Sequence, residues 1–244
     1  MKKIVIKALY CVYRILGRWF LRPMLLLDWK RSHLRQVNER AAEYGFALKW
    51  LLKIYPVDVL DVGSGRGSWP HLMANCGFHV TAIDKIKDYW KSGFFNRHYY
   101  IIDDDITRPK INGQFDFITC ISVIEHIPNH KDAFCGMLGL LKTGGHLVLT
   151  FPYNEKQYID NVYKLPDVGY GRDFRFICQV FSRKQIDEWL ADNPAKIIDQ
   201  EYYEIFSGGL WAFGERIRPP KKVEREQKCH LTCLIVQKTN GSKM

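Results

Sequence analysis

Residues 57–84 read VDVLDVGSGRGSWPHLMANCGFHVTAID, and this stretch decides the fold. The apolar, β-branched run 57–62 predicts a strand that is buried on both faces of a parallel sheet. Glycines follow at positions 63, 65 and 67, where the lack of a β-carbon allows positive φ and lets a ligand approach the backbone. Residues 70–76 read as a helix and residues 78–83 as a second strand. The stretch therefore predicts one βαβ unit with a ligand site at its glycine turn.

The second strand of this unit ends on Asp84, about 20 residues after the first glycine, where a nucleotide-binding unit places an acceptor for ribose hydroxyls. The glycine spacing is G-x-G-x-G, with Ser68 where dinucleotide enzymes carry the third glycine or alanine of their motif. A lone glycine loop also suits an ordinary strand-to-helix turn. The type of cofactor therefore depends on the segments that follow.

Four segments accompany the acidic strand end in a fixed order along residues 57–151. They are DVGSGRG at 61–67, DIT at 105–107, FDFITCISVIEHI at 115–127 and LLKTGGHLVLTFP at 140–152. As an ordered set they resemble the class I S-adenosylmethionine-dependent methyltransferases, and the methyltransferase type 11 group among them. The resemblance implies S-adenosylmethionine as the cofactor.

The resemblance implies a Rossmann-like, doubly wound α/β fold with N-terminal helices. Its seven-stranded sheet would be mostly parallel, with an antiparallel last strand. Beyond the first unit, we expect strands at 99–102, 115–121, 146–150, 197–206 and 230–237, and helices at 33–54, 85–92, 129–141 and 183–192. The segments 207–220 and 221–228 are expected to be a loop and a solvated turn. The expected organisation is a helical arm over residues 1–32, called the arm below, and a methyltransferase domain over residues 33–244.

The resemblance also implies which residues bind the cofactor. They are Asp61, Gly63, Ser64, Gly65 and Gly67 at the first turn, Asp84 at the ribose, Asp105 and Ile106 at the adenine, and Cys120, Ile121 and Ser122 beside the methionine part. Asp103 and Asp104 are expected to be solvated loop residues. Three adjacent carboxylates lack the spacing of a hard-cation site, so no metal is expected.

His126 is the histidine that the motif places near the transferred methyl group, and it is the candidate general base because imidazole titrates close to working pH. The alternative is that His126 only shapes the pocket. The long connection 152–181 is rich in Tyr, Asp and Arg, and loops at this end of a sheet build substrate pockets. We expect acceptor contacts from Tyr153, Tyr170, Arg172 and Arg175. Arg40 and Tyr44, one helical turn apart, could touch a ligand or only pack.

The net charge of +10 is concentrated in the arm. Residues 1–35 hold nine Lys and Arg against Asp28 alone, whereas the remaining residues hold 27 basic and 25 acidic side chains. A nearly neutral body argues against a basic groove, so nucleic acid is not an expected partner. Seven cysteines without a C-x-x-C pair predict neither a zinc site nor a disulfide framework, and they favour a reducing, cytoplasmic location.

The arm has the pattern of an amphipathic helix. Lys3, Lys7, Arg14, Arg18 and Arg22, called the basic stripe below, fall within an arc of roughly 100° at 3.6 residues per turn. The rest of the helix surface is mainly apolar and aromatic, which predicts a helix in a membrane interface rather than a spanning one. Residues 1–27 are therefore expected to bind the inner face of a membrane. The alternative is that they pack on the body or on another protomer.

These observations predict a methyltransferase, most simply one that O-methylates a saccharide or lipid-linked glycan at the membrane face. A quinone-like molecule or another small lipid is the alternative acceptor. Alternatives from a different class are a cofactor-binding module without turnover and an NAD-dependent dehydrogenase on a similar sheet. The acceptor class remains open because a fold does not supply it.

Overall fold

The computed structural model describes residues 2–32, 37–86 and 96–240. The chain divides into two compact units, residues 1–37 and 38–244. The first unit contains one helix, α1 (Lys2–Ser32), with Pro23 inside it. In the part of the chain that the structure describes, no helix is both long enough and apolar enough to cross a membrane.

The second unit is built on one eight-stranded sheet. Its strands are β1 (Asp58–Val62), β2 (His79–Asp84), β3 (Ile102–Asp103), β4 (Phe115–Ile121), β5 (Leu141–Pro152), β6 (Ala195–Phe206), β7 (Arg216–Val223) and β8 (Leu231–Lys238). The helices are α2 (Arg40–Ile54), α3 (Trp69–Asn75), α4 (His130–Leu140) and α5 (Arg183–Ala191), with short 3-10 turns at Ile124–His126 and Val162–Lys164. The helix expected over 85–92 lies mostly outside the described residues.

The sheet order is β3-β2-β1-β4-β5-β8-β6-β7. The first five strands are parallel, whereas β8 runs antiparallel between β5 and β6. Because the leading strands are parallel, the carboxyl ends of β1, β2, β3 and β4 meet at one edge of the sheet. This edge is where the glycine turn and Asp84 lie.

Each face of the sheet carries its own hydrophobic core. Leu60 and Val62 of β1 pack with α4 and α5, while Val59 of the same strand packs with α2 and α3. This alternation is the consequence of the two-residue period of a strand. Helices on both faces confirm the doubly wound α/β class.

The expected strand count of seven was wrong by one. The additional strand is β7, at the outer edge beyond β6, within the segment that we expected to be a loop and a turn. The sequence of β7 contains Pro219, Pro220 and several basic residues, so it lacks the apolar or alternating pattern that predicts a strand. Edge strands tolerate proline because one row of their N–H groups needs no partner strand.

Helix α4 approaches the segment after β3 very closely at Gly136. A β-carbon at this position would overlap the carbonyl oxygen of Ile106. Only glycine therefore lets the helix lie against the backbone at Ile106.

Candidate active site

A cleft of about 390 Å³ opens at the carboxyl ends of β1, β2 and β4. Seven of the residues singled out from the sequence line it: Gly63, Gly65, Asp84, Asp105, Ile106, Ser122 and His126. Asp61, Ser64, Gly67, Cys120 and Ile121 do not belong to its lining. The cleft thus joins the first glycine turn to the turn that follows β4.

The glycine turn has the backbone conformation that its sequence requires. Gly63 and Gly65 have φ values of 76° and 53°, and a β-carbon at Gly63 would overlap the methyl groups of Val123. The Asn96 amide donates hydrogen bonds to the carbonyl oxygens of Gly65 and Gly67, each at 2.9 Å. The turn is thereby held open as a cradle that a side chain would fill, which fits close approach by a cofactor.

Asp84 and Asp105 both line the cleft and are held by different contacts. Asp84 accepts a hydrogen bond from the Gly65 N–H at 2.7 Å, and burial raises the pKa of its carboxyl. Burial also tends to raise the pKa of Asp105, but hydrogen bonds from Lys85 and Thr107 outweigh it, so the pKa is lowered. Both carboxylates therefore present hydrogen-bond acceptors to the cleft.

Asp104, expected to be solvated, is buried instead. Its carboxylate accepts hydrogen bonds from the backbone N–H groups of Asp105, Lys110 and Ile111. The expectation was wrong because this side chain closes the loop after β3. Asp103 is exposed and accepts from the N–H of Ile86.

Asp61 lies beneath the glycine turn, 3% exposed. It accepts hydrogen bonds from the hydroxyls of Ser64 at 2.6 Å and Thr119 at 2.7 Å, and the Trp69 indole donates to Thr119. Burial raises the pKa of Asp61 to about 7, although these two hydroxyls lower it. Asp61 and Ser64 therefore support the turn from below.

The turn after β4 is fixed by a buried glutamate of α2. Ser122 has a left-handed φ of 48°, which is costly for a residue other than glycine. The Glu43 carboxylate, 0% exposed, accepts from the hydroxyls of Ser122 at 2.5 Å and Thr150 at 2.7 Å and pairs with Arg40. Arg40 also donates to the carbonyl oxygen of Ile121 at 3.1 Å. Sequence reasoning singled out Arg40 but missed Glu43, because a buried helical glutamate leaves no local signal.

Tyr44, the other α2 residue considered above, stacks on Trp69 with ring centroids 4.5 Å apart. Burial raises the pKa of its phenol. Its ring therefore joins α2 to α3 beside the glycine turn.

His126 is oriented by a backbone carbonyl. Its Nδ1 lies 2.6 Å from the oxygen of Ile177, which can only accept, so Nδ1 carries the proton and donates. Burial lowers the pKa of the imidazole, although the Ile177 hydrogen bond raises it. The neutral ring therefore keeps its lone pair on Nε2, 3.8 Å from Oε1 of Glu125.

Glu125 is 2% exposed, and its Oε2 has no hydrogen-bond partner among the described residues. Burial raises the pKa of this carboxyl to about 8, so it is protonated at neutral pH. An uncharged Glu125 next to Nε2 does not favour the imidazolium form. This environment suits a histidine that is neutral before it accepts a proton.

The connection 152–181 packs against the His126 turn. The N–H of Gln179 donates to the carbonyl oxygen of Glu125 at 2.9 Å, and the Phe176 ring meets the His126 ring edge-on at 4.6 Å. Phe176 belongs to an aromatic cluster whose other members are Tyr163, Tyr170 and Phe174. This cluster, called the aromatic wall below, adjoins the candidate base.

The four residues expected to contact the acceptor occupy different environments. Tyr170 is half-buried in the aromatic wall, and Arg172 and Arg175 are exposed on either side of Phe174 in the sequence. Tyr153 is 0% exposed, and its hydroxyl donates to Glu155 at 2.6 Å. A fully buried ring has no surface to offer, so Tyr153 is excluded from the acceptor contacts proposed below. Among the described residues, no group of three or more His, Cys, Asp or Glu side chains could hold a metal ion.

Comparison with known proteins tests the family. A family model described as a methyltransferase domain matches residues 29–200, more than half of the chain. The chain belongs to this methyltransferase family. The match includes the glycine turn, Asp84 and His126, and it gives no support to the dehydrogenase alternative.

Two curated relatives carry the name ubiquinone biosynthesis O-methyltransferase. The protein of Psychrobacter cryohalolentis is 31% identical over 150 residues, covering 55% of each chain. That of Marinobacter nauticus is 31% identical over 110 residues, covering 41% of this chain and 46% of the relative. The chain thus spans about half the length of the curated relatives it matches.

Two solved structures share the fold. An S-adenosylmethionine-dependent methyltransferase from Clostridium acetobutylicum has a TM-score of 0.52 and 17% identity, covering 90% of this chain and 99% of its own. The 1,6-didemethyltoxoflavin-N1-methyltransferase of Burkholderia thailandensis has a TM-score of 0.55 and 16% identity, covering 90% and 88%. The class I S-adenosylmethionine-dependent methyltransferase expected from the sequence is confirmed at the level of family and fold, and S-adenosylmethionine is the cofactor of this family.

Proposed function

We propose that this chain methylates a hydroxyl oxygen on the ring of a quinone-like, lipid-soluble acceptor. The observation that carries the proposal is the position of the His126 imidazole, which lines the cleft and donates its Nδ1–H to Ile177, so that Nε2 is the ring nitrogen able to accept a proton. A base is needed most when the acceptor is a hydroxyl. The names of the relatives favour a quinone-like acceptor over the saccharide or lipid-linked glycan that we first expected.

Cofactor binding is assigned to cleft residues that follow β1, β2 and β3. The bound cofactor supplies a methyl group activated by a sulfonium. Asp84 binds the ribose hydroxyls, Asp105 and Ile106 hold the adenine, and Gly63 and Gly65 let the methionine part approach the backbone. Asp61, Ser64, Gly67, Cys120 and Ile121 act from behind the lining by fixing the two turns.

The chain's contribution to the reaction is alignment and one proton transfer. Holding the acceptor oxygen in line with the methyl group can contribute about 7–11 kcal/mol to lowering the barrier. His126 takes the hydroxyl proton at Nε2, a step that contributes roughly 10²–10⁴-fold. Ile177 keeps the ring in the required orientation by accepting from Nδ1.

The aromatic wall supplies the acceptor surface. Flat rings stack on or meet the edges of aromatic side chains, and Phe174 is 48% exposed at the outer end of the wall. Tyr170 contributes to the same surface, and Arg172 and Arg175 contact polar groups of the acceptor at the rim. The reaction is assigned to the cytoplasmic side, at the inner face of the membrane that holds a lipid-soluble acceptor.

A methyl-transfer assay tests this proposal. Purified protein is incubated with labelled S-adenosylmethionine and a short-chain hydroxyquinol, a catechol or a free sugar, and the products are identified by mass spectrometry. We expect ether formation on the aromatic acceptors alone, with loss of most of the rate in His126→Gln. Transfer only to the sugar would overturn the quinone-like assignment, and full activity of His126→Gln would overturn the assigned base.

A further inference from the structure

Helix α1 exposes a wide apolar surface. It has 31 residues, so at 1.5 Å per residue it is about 46 Å long. Large apolar side chains along it are highly exposed: Leu9 65%, Leu16 64%, Trp19 73% and Phe20 82%. Contiguous apolar surface on this scale indicates an interaction site.

In the middle of α1, over residues 5–27, the charges are confined to one side. Between residues 5 and 27 the charged residues are Lys7, Arg14, Arg18 and Arg22, all members of the basic stripe. At 100° per residue they fall within an arc of roughly 80°. No acidic side chain occurs in this segment. Over residues 5–27 the helix therefore combines one cationic side with an uncharged arc of well over half its circumference.

This pattern distinguishes between the surfaces that could cover α1. A helix that pairs with a second copy in a coiled coil needs only a narrow apolar seam and usually carries charges of both signs beside it. A wide apolar arc with aromatic residues and a purely basic polar side is the pattern of a helix lying in a membrane interface. The absence of acidic groups between residues 5 and 27 favours a surface of anionic lipid.

We propose that α1 lies in the plane of an anionic phospholipid bilayer surface. Leu9, Leu16 and Phe20 enter the boundary between headgroups and acyl chains, roughly 5–10 Å deep. The basic stripe pairs with anionic headgroups. Most of α1 precedes residues 29–200, the segment that the methyltransferase family model matches, so this surface is additional to the family's domain.

Membrane binding is independent of which acceptor is methylated, so it can be tested without turnover. The full-length protein is sedimented with phosphatidylcholine vesicles that contain or lack phosphatidylglycerol. We expect pelleting with the anionic vesicles and a loss of pelleting as salt is raised, because screening weakens the contribution of the basic stripe.

Two variants with the same change of charge separate the apolar arc from the basic stripe. Phe20→Asp lies in the apolar arc and should lower the partition coefficient roughly 10- to 100-fold, because a large buried side chain is lost. Cys11→Asp lies within the arc of the basic stripe and should lower it only about fivefold. Circular dichroism and S-adenosylhomocysteine binding confirm that both variants are folded.

Equal pelleting with and without phosphatidylglycerol would overturn the anionic-lipid assignment, and equal losses in the two variants would overturn the orientation of the helix. If the wild-type protein binds neither kind of vesicle but dimerises through Phe20, a second copy of the chain covers the apolar surface of α1, and the proposal is wrong. A protein that binds vesicles but methylates no aromatic acceptor would refute the proposed function and leave this inference standing.

Discussion

The two sides of the cleft are constructed in opposite ways. On the side assigned to the cofactor, Gly63, Gly65 and Asp84 lie within one stretch of 28 residues, and the two glycines offer only backbone to the cleft. On the acceptor side, His126 depends on Ile177, which is 51 residues away in sequence. The turn after β4, which leads to His126, depends in the same way on Glu43 through Ser122. A local motif can therefore specify where the cofactor binds, whereas the reacting group requires tertiary contacts.

This difference predicts that changes on the acceptor side alter kcat, while changes on the cofactor side alter cofactor affinity. The largest expected effect is that of His126→Gln, which should lower kcat roughly 10²–10⁴-fold because the proton acceptor is lost. The affinity for S-adenosylhomocysteine, measured by calorimetry, should stay unchanged. His146→Gln, in β5 outside the cleft lining, is the matched control.

The same base predicts a direction for the pH profile. Burial lowers the pKa of His126, so Nε2 remains unprotonated as the pH falls through about 6.5, the ordinary value for histidine. We expect kcat/KM to decline only at more acidic pH. A decline that begins above the ordinary value would mean that another group is being titrated.

Glu125→Gln should change the pH dependence of stability. The folded-state pKa is raised to about 8, so the folded protein keeps a proton that the unfolded chain has already released near pH 5. The wild-type free energy of unfolding should therefore fall by about 1 kcal/mol for each pH unit between roughly 5 and 8, and glutamine removes this slope. Urea unfolding at several pH values measures the difference. Asp61, whose pKa is also raised, is present in both proteins and contributes equally to the pH dependence of the two free energies of unfolding.

Asp84→Asn tests the cofactor side. Loss of a charged acceptor should weaken S-adenosylhomocysteine binding roughly 10- to 100-fold, with kcat at saturating cofactor little changed. Asp103→Asn is the control, because Asp103 is paired with Asp84 in the adjacent strand but does not line the cleft. If both variants bound equally well, Asp84 would have no part in cofactor recognition.

Among these variants, Glu43→Gln should have the smallest effect, a modest decrease in the free energy of unfolding. Glutamine keeps an oxygen that accepts from Ser122 and Thr150 but loses the charge that pairs with Arg40, so we expect a loss of about 1 kcal/mol in the free energy of unfolding. Glu43→Ala, which leaves all three donors without this acceptor, should lose more. A rank order in which glutamine is worse than alanine would contradict the hydrogen-bond role assigned to Glu43.

The sequence analysis was most successful for features whose residues lie close together in the sequence. The glycine turn, Asp84 and the burial of β1 on both faces follow from residue type and spacing alone. Strand β7 was missed because Pro219 and Pro220 suppress the strand signal, and Glu43 was missed because its partners are 79 and 107 residues away. The full burial of Tyr153 likewise depends on packing between distant segments. Long-range packing is what a single sequence does not encode in any local pattern.

The close approach of α4 at Gly136 has a consequence for cofactor choice. Ile106, whose carbonyl oxygen lies against this glycine, also lines the cleft. A larger side chain at 136 would displace that backbone, and with it the cleft surface at Ile106. Because we propose that Ile106 contacts the adenine, a substitution at Gly136 should change the preference among purine analogues from a position that does not line the cleft.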